Sequence, residues 1–186
     1  MRKNFGAKAI LYPMPVLIIG SYDENGVPDA MNAAWGGISE ETQISICVSA
    51  DHKTTKNILT KGAFTVSVAD AENVVAADYV GVVSGNKEPN KIEKAGWHAV
   101  KSEFVDAPLF EELPMALECK LISYDEESCR LVGEIVNVCA DERILGADCK
   151  IDLAKFSPIT YDPVQHTYRK LGDVVGKAFS DGMKLK

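Results

Sequence analysis

Residues Asp51–Thr60 read DHKTTKNILT. The pattern predicts a helix start, because the apolar pair Ile58-Leu59 follows a polar turn and Lys61-Gly62 supplies a stop. Its first turn is overfull. Lys53, Thr54, Thr55 and Lys56 crowd a place where one capping residue suffices. A helix N-terminus offers unpaired N–H donors and a partial positive charge, so it is a ready anion site. Thr54 and Thr55 add hydroxyl donors, Lys53 a mobile cation, and His52 stands beside them. The plain alternative is that Asp51 or Thr54 caps the helix while both lysines lie in solvent.

On either side of this helix the chain reads as strands. Upstream, Gln43–Ala50 sets Ile44, Ile46 and Val48 against Ser45, Cys47 and Ser49; downstream, Phe64, Val66 and Val68 alternate in the same way. Val16–Tyr22 is a β-branched run, and Pro13 and Pro15 before it suit a strand start or an edge. Asn25-Gly26 then marks a hairpin. Met115–Tyr124 and Arg130–Ala140, joined by the acidic turn DEES, predict a second hairpin. Between the halves, Ala71–Val82 and Asn90–Ala95 read as helical, the latter ending at Gly96 before Trp97. No repeat, low-complexity tract or linker interrupts the chain, so one domain over residues 1–186 is expected. An antiparallel sheet or barrel with inserted helices follows.

Composition excludes several function classes. With 20 Lys+Arg against 27 Asp+Glu, the formal net charge of -7 argues against nucleic acid and anionic membrane as partners. No run approaches the roughly 20 apolar residues of a membrane span. The apolar N-terminal stretch is split by Pro13 and Pro15 and lacks a small-x-small cleavage site, so a cytoplasmic location is expected. Cys119, Cys129, Cys139 and Cys149 stand ten residues apart with no C-x-x-C pair, which fits neither a zinc nor an iron–sulfur site. The odd total of five leaves no complete disulfide framework. Reduced cysteines acting as small apolar strand residues are expected, with no metal. The sequence also lacks G-x-G-x-x-G after a strand, H-E-x-x-H and a Ser-His-Asp or Cys-His arrangement.

Taken in order, the motifs add up. A Pro-bracketed first strand, the NG hairpin, MNAAWGG, HKTTKNI before FTVSVAD, ADYVGVVSG, KIEKAG, DAPLFEELPMALECKL, VGEIVNV and the tail YRKLGDVVGKAFSDG follow one another from about Phe5 to Gly182. This arrangement resembles the flavin reductase-like family, the FMN-binding split β-barrel, and within it the flavoredoxin-type branch. The resemblance implies a mainly β fold: a six-stranded antiparallel Greek-key split barrel with inserted α-helices. It also implies a homodimer that holds FMN non-covalently near its interface.

The resemblance gives the helix start a ligand, the terminal phosphate of FMN, with contacts expected from His52, Lys53, Thr54, Thr55 and Asn57. It sets Asn32, Ala33, Ala34 and Trp35 along the isoalloxazine, where small residues let backbone approach the ring edge. Ser49 and Ala50 flank the same pocket, and Ser84 and Gly85 match a segment that reaches the cofactor. The residues themselves leave open a core role for Trp35 and a simple polar loop at Ser84-Gly85. His166 and Tyr168 are expected on the substrate side, with a partly exposed loop histidine as the alternative. No side chain is expected to be catalytic, because bound FMN carries the redox chemistry at its N5. Two functions remain: an NAD(P)H-dependent flavin or metal-chelate reductase, and an FMN-binding electron carrier between protein partners. A nicotinamide donor, if used, binds in an open cleft without a Rossmann domain.

Overall fold

The computed structural model describes residues 1–186. Its strands and helices run β1 (Met14–Pro15), β2 (Leu17–Tyr22), β3 (Pro28–Ala33), β4 (Gly36–Glu40), β5 (Gln43–Cys47), α1 (Lys53–Lys61), β6 (Ala63–Val68), α2 (Val74–Val82), α3 (Lys91–Lys94), β7 (Ala99–Lys101), β8 (Pro108–Phe110), β9 (Met115–Asp125), β10 (Arg130–Ala140), β11 (Ile159–Asp162) and β12 (Thr167–Lys170). The main sheet is antiparallel with the order β3-β2-β6-β9-β10-β5-β4, so it holds seven strands rather than the expected six. The additional strand is β4, GGISE. It carries little apolar pattern because it is almost wholly exposed, and it pairs only with β5. A methyl group at Gly36 would stand 3.1 Å from Leu17 Cδ1 and 3.2 Å from Ile46 Cγ1, so the missing side chain lets β4 lie close.

Strands β3 and β4 are opposite edges of this sheet, yet only Ala34 and Trp35 separate them in sequence. Two intervening residues reach at most about 11 Å, so the edges must curl toward each other. The outcome is a split barrel. One apolar layer fills its interior: Leu17, Ile19, Ala33, Ile44, Ile46, Phe64, Val66, Leu117 and Leu131, with Ile58 of α1 closing one end. Alternate residues of the same strands point outward. Val16, Ile18 and Ala30 pack with Ala77, Val80, Ile92, Trp97, Phe110 and Ile159, which explains why β2 is buried on both faces. The second face of β6 is covered by Val105 and Ala107 against Ala63 and by Pro108, whose carbonyl accepts the Thr65 hydroxyl. These layers remove large apolar areas from water at roughly 25 cal/mol per Å².

Local signals act as their chemistry dictates. Gly26 takes φ 79° in the β2–β3 hairpin, and its N–H donates to the Asp23 carbonyl at 3.0 Å. Gly62 closes α1 with φ 68°, and its N–H donates to the Ile58 carbonyl at 2.8 Å. The β9–β10 hairpin forms as expected. Pro15 sits in β1, an edge strand beside β11 in the three-stranded sheet β1-β11-β12. Three expectations need correction. The first long helix begins at Val74 rather than Ala71, because Asp70 accepts the N–H groups of Glu72 and Asn73 and holds the chain in a turn. The second helical stretch is a single turn, Lys91–Lys94. The five cysteines are all free, but only Cys119 is buried, where burial pushes its thiol up to about 12. Cys129 and Cys149 lie in turns at φ 56° and 58° rather than on strands. No helix is long and apolar enough to cross a membrane.

Candidate functional site

The site is laid out along β3. At its start Asp29, 2% exposed, points at the opening of α1 and accepts the Thr54 hydroxyl at 2.5 Å. Its other oxygen pairs with Lys91 Nζ at 3.1 Å, and both side chains are buried. Neither the hydroxyls nor Asp51 cap the helix. His52 occupies the cap position with extended backbone, and no side chain accepts from the N–H groups of the helix start. Lys56 N–H to the His52 carbonyl, at 3.2 Å, is the first bond to close on the helix. The N–H groups of Lys53, Thr54 and Thr55 therefore lack intrahelical acceptors.

Around this uncapped end the expected residues take separate duties. Lys53, only 19% exposed, pairs with Asp23 at 3.3 Å. Burial raises the Asp23 carboxyl, but the Val27 N–H and Lys53 outweigh it and hold the group below its usual value. Ser49 donates to Asp51 at 2.5 Å. Asn57 faces inward and donates to Ser21 at 3.1 Å. Thr55 is fully buried, and its hydroxyl has no partner. The loop after α2 closes the cluster: Asn86 Nδ2 donates to the Asp51 carbonyl at 3.1 Å. At Gly85 a methyl group would overlap Asp29 Oδ1 and stand 3.1 Å from Lys53 Cδ. Ser84 and Gly85 are thus brought against the helix start. Asp29, Lys91 and Asp23 were not foreseen; only long-range contacts connect them to it.

Three residues along β3, about 10 Å from Asp29, Asn32 enters different surroundings. Its amide donates to the Ala77 carbonyl at 3.0 Å, and Gly81 of α2 packs against its Cβ. Asn32 and Ala34 line a cavity of about 370 Å³ with Asp78, Gly81, Tyr161, His166 and Tyr168. Both tail residues singled out from the sequence, His166 and Tyr168, therefore meet the MNAAW segment. Tyr168 donates to Asp78 at 2.7 Å. Burial, then the bond to Asp78, pushes its phenol well above the usual value. His166 takes φ 54° and bonds Tyr161 through Nδ1 at 2.8 Å. Ala33 points into the barrel interior. Trp35 is 58% exposed, which removes a core role for it. It borders an apolar groove of about 420 Å³ formed with Ile10, Leu11 and Pro13.

Residues 9–164 match the flavin reductase like domain. The chain belongs to the flavin reductase-like family. The flavoredoxin of Desulfovibrio vulgaris (Miyazaki F) superimposes with a TM-score of 0.93 at 38% identity, covering 98% of this chain and 100% of that one. Flavoredoxin from Methanosarcina acetivorans gives 0.86 at 26% identity, covering 100% and 98%. An uncharacterised protein of Aeropyrum pernix is 29% identical over 119 residues, 63% of this chain; the match spans only 45% of that relative's length. Within this flavin reductase-like chain the tail beyond residue 164 lies outside the family match. It is nonetheless included in the superposition on the flavoredoxins, so the part of the cavity built from His166 and Tyr168 belongs to a region those structures share.

Proposed function

We propose that this chain is an FMN-binding redox protein of the flavoredoxin kind, with FMN held non-covalently along β3. The observation that carries the reading is the start of α1. Three backbone N–H groups there lack acceptors, no side chain caps them, Lys53 stands beside them, and Gly85, lacking a side chain, lets its loop close against Asp29 and Lys53. A terminal phosphate satisfies those donors. Lys53 then adds its charge by exchanging Asp23 for the phosphate. The Thr54 hydroxyl proton is committed to Asp29, so Thr54 offers its backbone N–H. Asn57 supports the turn from inside through Ser21.

At the other end, Asn32, Ala34 and Trp35 border the ring. Asn32 is fixed by Ala77, so backbone rather than a mobile side chain lines the ring edge. Bound FMN supplies the electron or hydride chemistry. The residues of the chain bind it, orient it and limit access to it. Tyr168, held by Asp78, and His166, held by Tyr161, line the cavity through which a small donor or acceptor approaches.

A homodimer completes this reading. Val174, Val175 and Phe179 in the tail are fully exposed, and the groove beside Trp35 is apolar. A second copy covering both would use these leftover apolar residues; a standard interface buries roughly 800 Å² per partner. Five free thiols suit a reducing cytoplasm. The similarity to flavoredoxins favours electron transfer with a protein partner over release of reduced flavin. Anaerobic reduction of the FMN-loaded protein by NADH, NADPH and a low-potential protein donor is the test. Fast bleaching of the flavin by the protein donor alone is expected for a carrier. Fast bleaching by a nicotinamide makes it a reductase, and a chain that binds no FMN contradicts the whole reading.

A further inference from the structure

The least expected feature of the site is a buried carboxylate at its anion end. Asp29 lies one side chain from the N–H groups of α1, where an uncompensated negative charge opposes a phosphate. Lys91 answers that charge at 3.1 Å, with both groups almost wholly buried. Buried ion pairs are poor sources of stability, since desolvation offsets most of the attraction. This one instead fixes geometry. Asp29 takes the Thr54 hydroxyl from α1 at 2.5 Å and packs against the backbone of Gly85. The Lys91 ammonium also donates to the Val80 carbonyl at 3.4 Å, in the last turn of α2. One pair therefore ties together β3, the start of α1, the end of α2, the 84–86 loop and α3.

We propose that Asp29 is a positioning residue of the phosphate subsite, holding Thr54 and the Gly85 loop in place, and that Lys91 is the countercharge that makes an acid tolerable there. The inference rests on the FMN reading above and adds a division of labour to it. Lys53 contacts the phosphate, whereas Lys91 never does. Its positive charge serves Asp29 alone. Removing Lys91 leaves a buried anion facing the phosphate, and removing both members of the pair takes that repulsion away.

Riboflavin, which lacks the phosphate, separates this role from a merely structural one. Titrations of FMN and riboflavin, followed by quenching of flavin fluorescence, are run on the wild-type chain, Lys91→Met and the double variant Asp29→Asn/Lys91→Met. Lys91→Met is expected to weaken FMN roughly tenfold or more while riboflavin stays within about twofold. In the double variant FMN affinity returns to within about threefold of wild type. Should Lys91→Met fail to fold, Thr54→Val against Thr54→Ser carries the test: loss of the hydroxyl weakens FMN selectively, and serine restores it. Equal losses for both flavins, or no rescue in the double variant or in serine, overturn the inference and leave the FMN reading standing. A wild-type chain that binds neither flavin overturns both.

Discussion

At Asp29 strand β3 meets a buried lysine and a threonine hydroxyl, whereas at Asn32, about 10 Å further on, it meets Tyr161, His166, Tyr168 and Asp78 around an open cavity. The first end is held by ion pairs, Asp29 with Lys91 and Lys53 with Asp23, and presents backbone donors with no acceptor. The second is held by hydrogen bonds that are already satisfied: Asn32 to Ala77, Tyr168 to Asp78, Tyr161 to His166. Unmet donors at one end and met ones at the other indicate different tasks. On the reading proposed above, the α1 end holds the phosphate, and the cavity end keeps its shape while a donor or acceptor passes.

Substitutions break this contrast in a graded way. The largest effect is expected from Gly85→Val, which drives a side chain into Asp29 and Lys53. Overpacking of about 2 kcal/mol corresponds to roughly a thirtyfold loss of FMN affinity by fluorescence titration. Lys53→Ala comes next. Losing one charge-assisted contact costs about 1.5 kcal/mol, on the order of tenfold for FMN, with riboflavin unmoved. Asn32→Ala acts at the other end and weakens FMN and riboflavin equally, by a few-fold at about 1 kcal/mol. A phosphate-selective loss in Asn32→Ala would show that the two ends do not divide the ligand in this way.

The smallest expected effect is one of pH and lies outside the pocket. Asp162, beside β12, accepts from Tyr12 at 2.6 Å, from the Gln165 and Val164 N–H groups and from Arg169. The Tyr12 bond foremost, then these donors, holds its carboxyl well below the usual carboxylate value. A carboxylate with a lowered folded value stabilises the fold above its unfolded value of about 3.9, and that stability is lost as pH falls below it. Thermal unfolding between pH 5 and pH 3 should therefore drop more steeply in the wild type than in Asp162→Asn. Parallel curves would show that Asp162 carries no such linkage.

Legibility in the sequence followed the range of the interactions. Asn25-Gly26, Lys61-Gly62 and Gly96 act through their own backbone, and each lies where its local chemistry predicts. The alternation in β5 and β6 and the second hairpin were legible for the same reason. Strand β4 was not, because Gly36-Gly37-Ile38-Ser39-Glu40 is exposed and has no buried face to enforce a pattern. The site divides likewise. HKTTKNI predicts a helix start through its own composition, and α1 begins there with no side-chain cap. That the Thr54 hydroxyl is taken by Asp29, that Asn57 turns toward Ser21 and that Lys91 completes the cluster depend on contacts between residues 25, 36 and 62 positions apart. No local pattern encodes such contacts.

Titration of the flavin-free protein with FMN and with riboflavin under identical conditions tests the central claim most directly. Even two of the four contacts assigned to the phosphate, three N–H groups and Lys53, amount to about 3 kcal/mol, so FMN should bind at least on the order of a hundredfold more tightly than riboflavin. Equal affinity for the two flavins, or binding of neither, would contradict the assignment of the α1 start as the phosphate site.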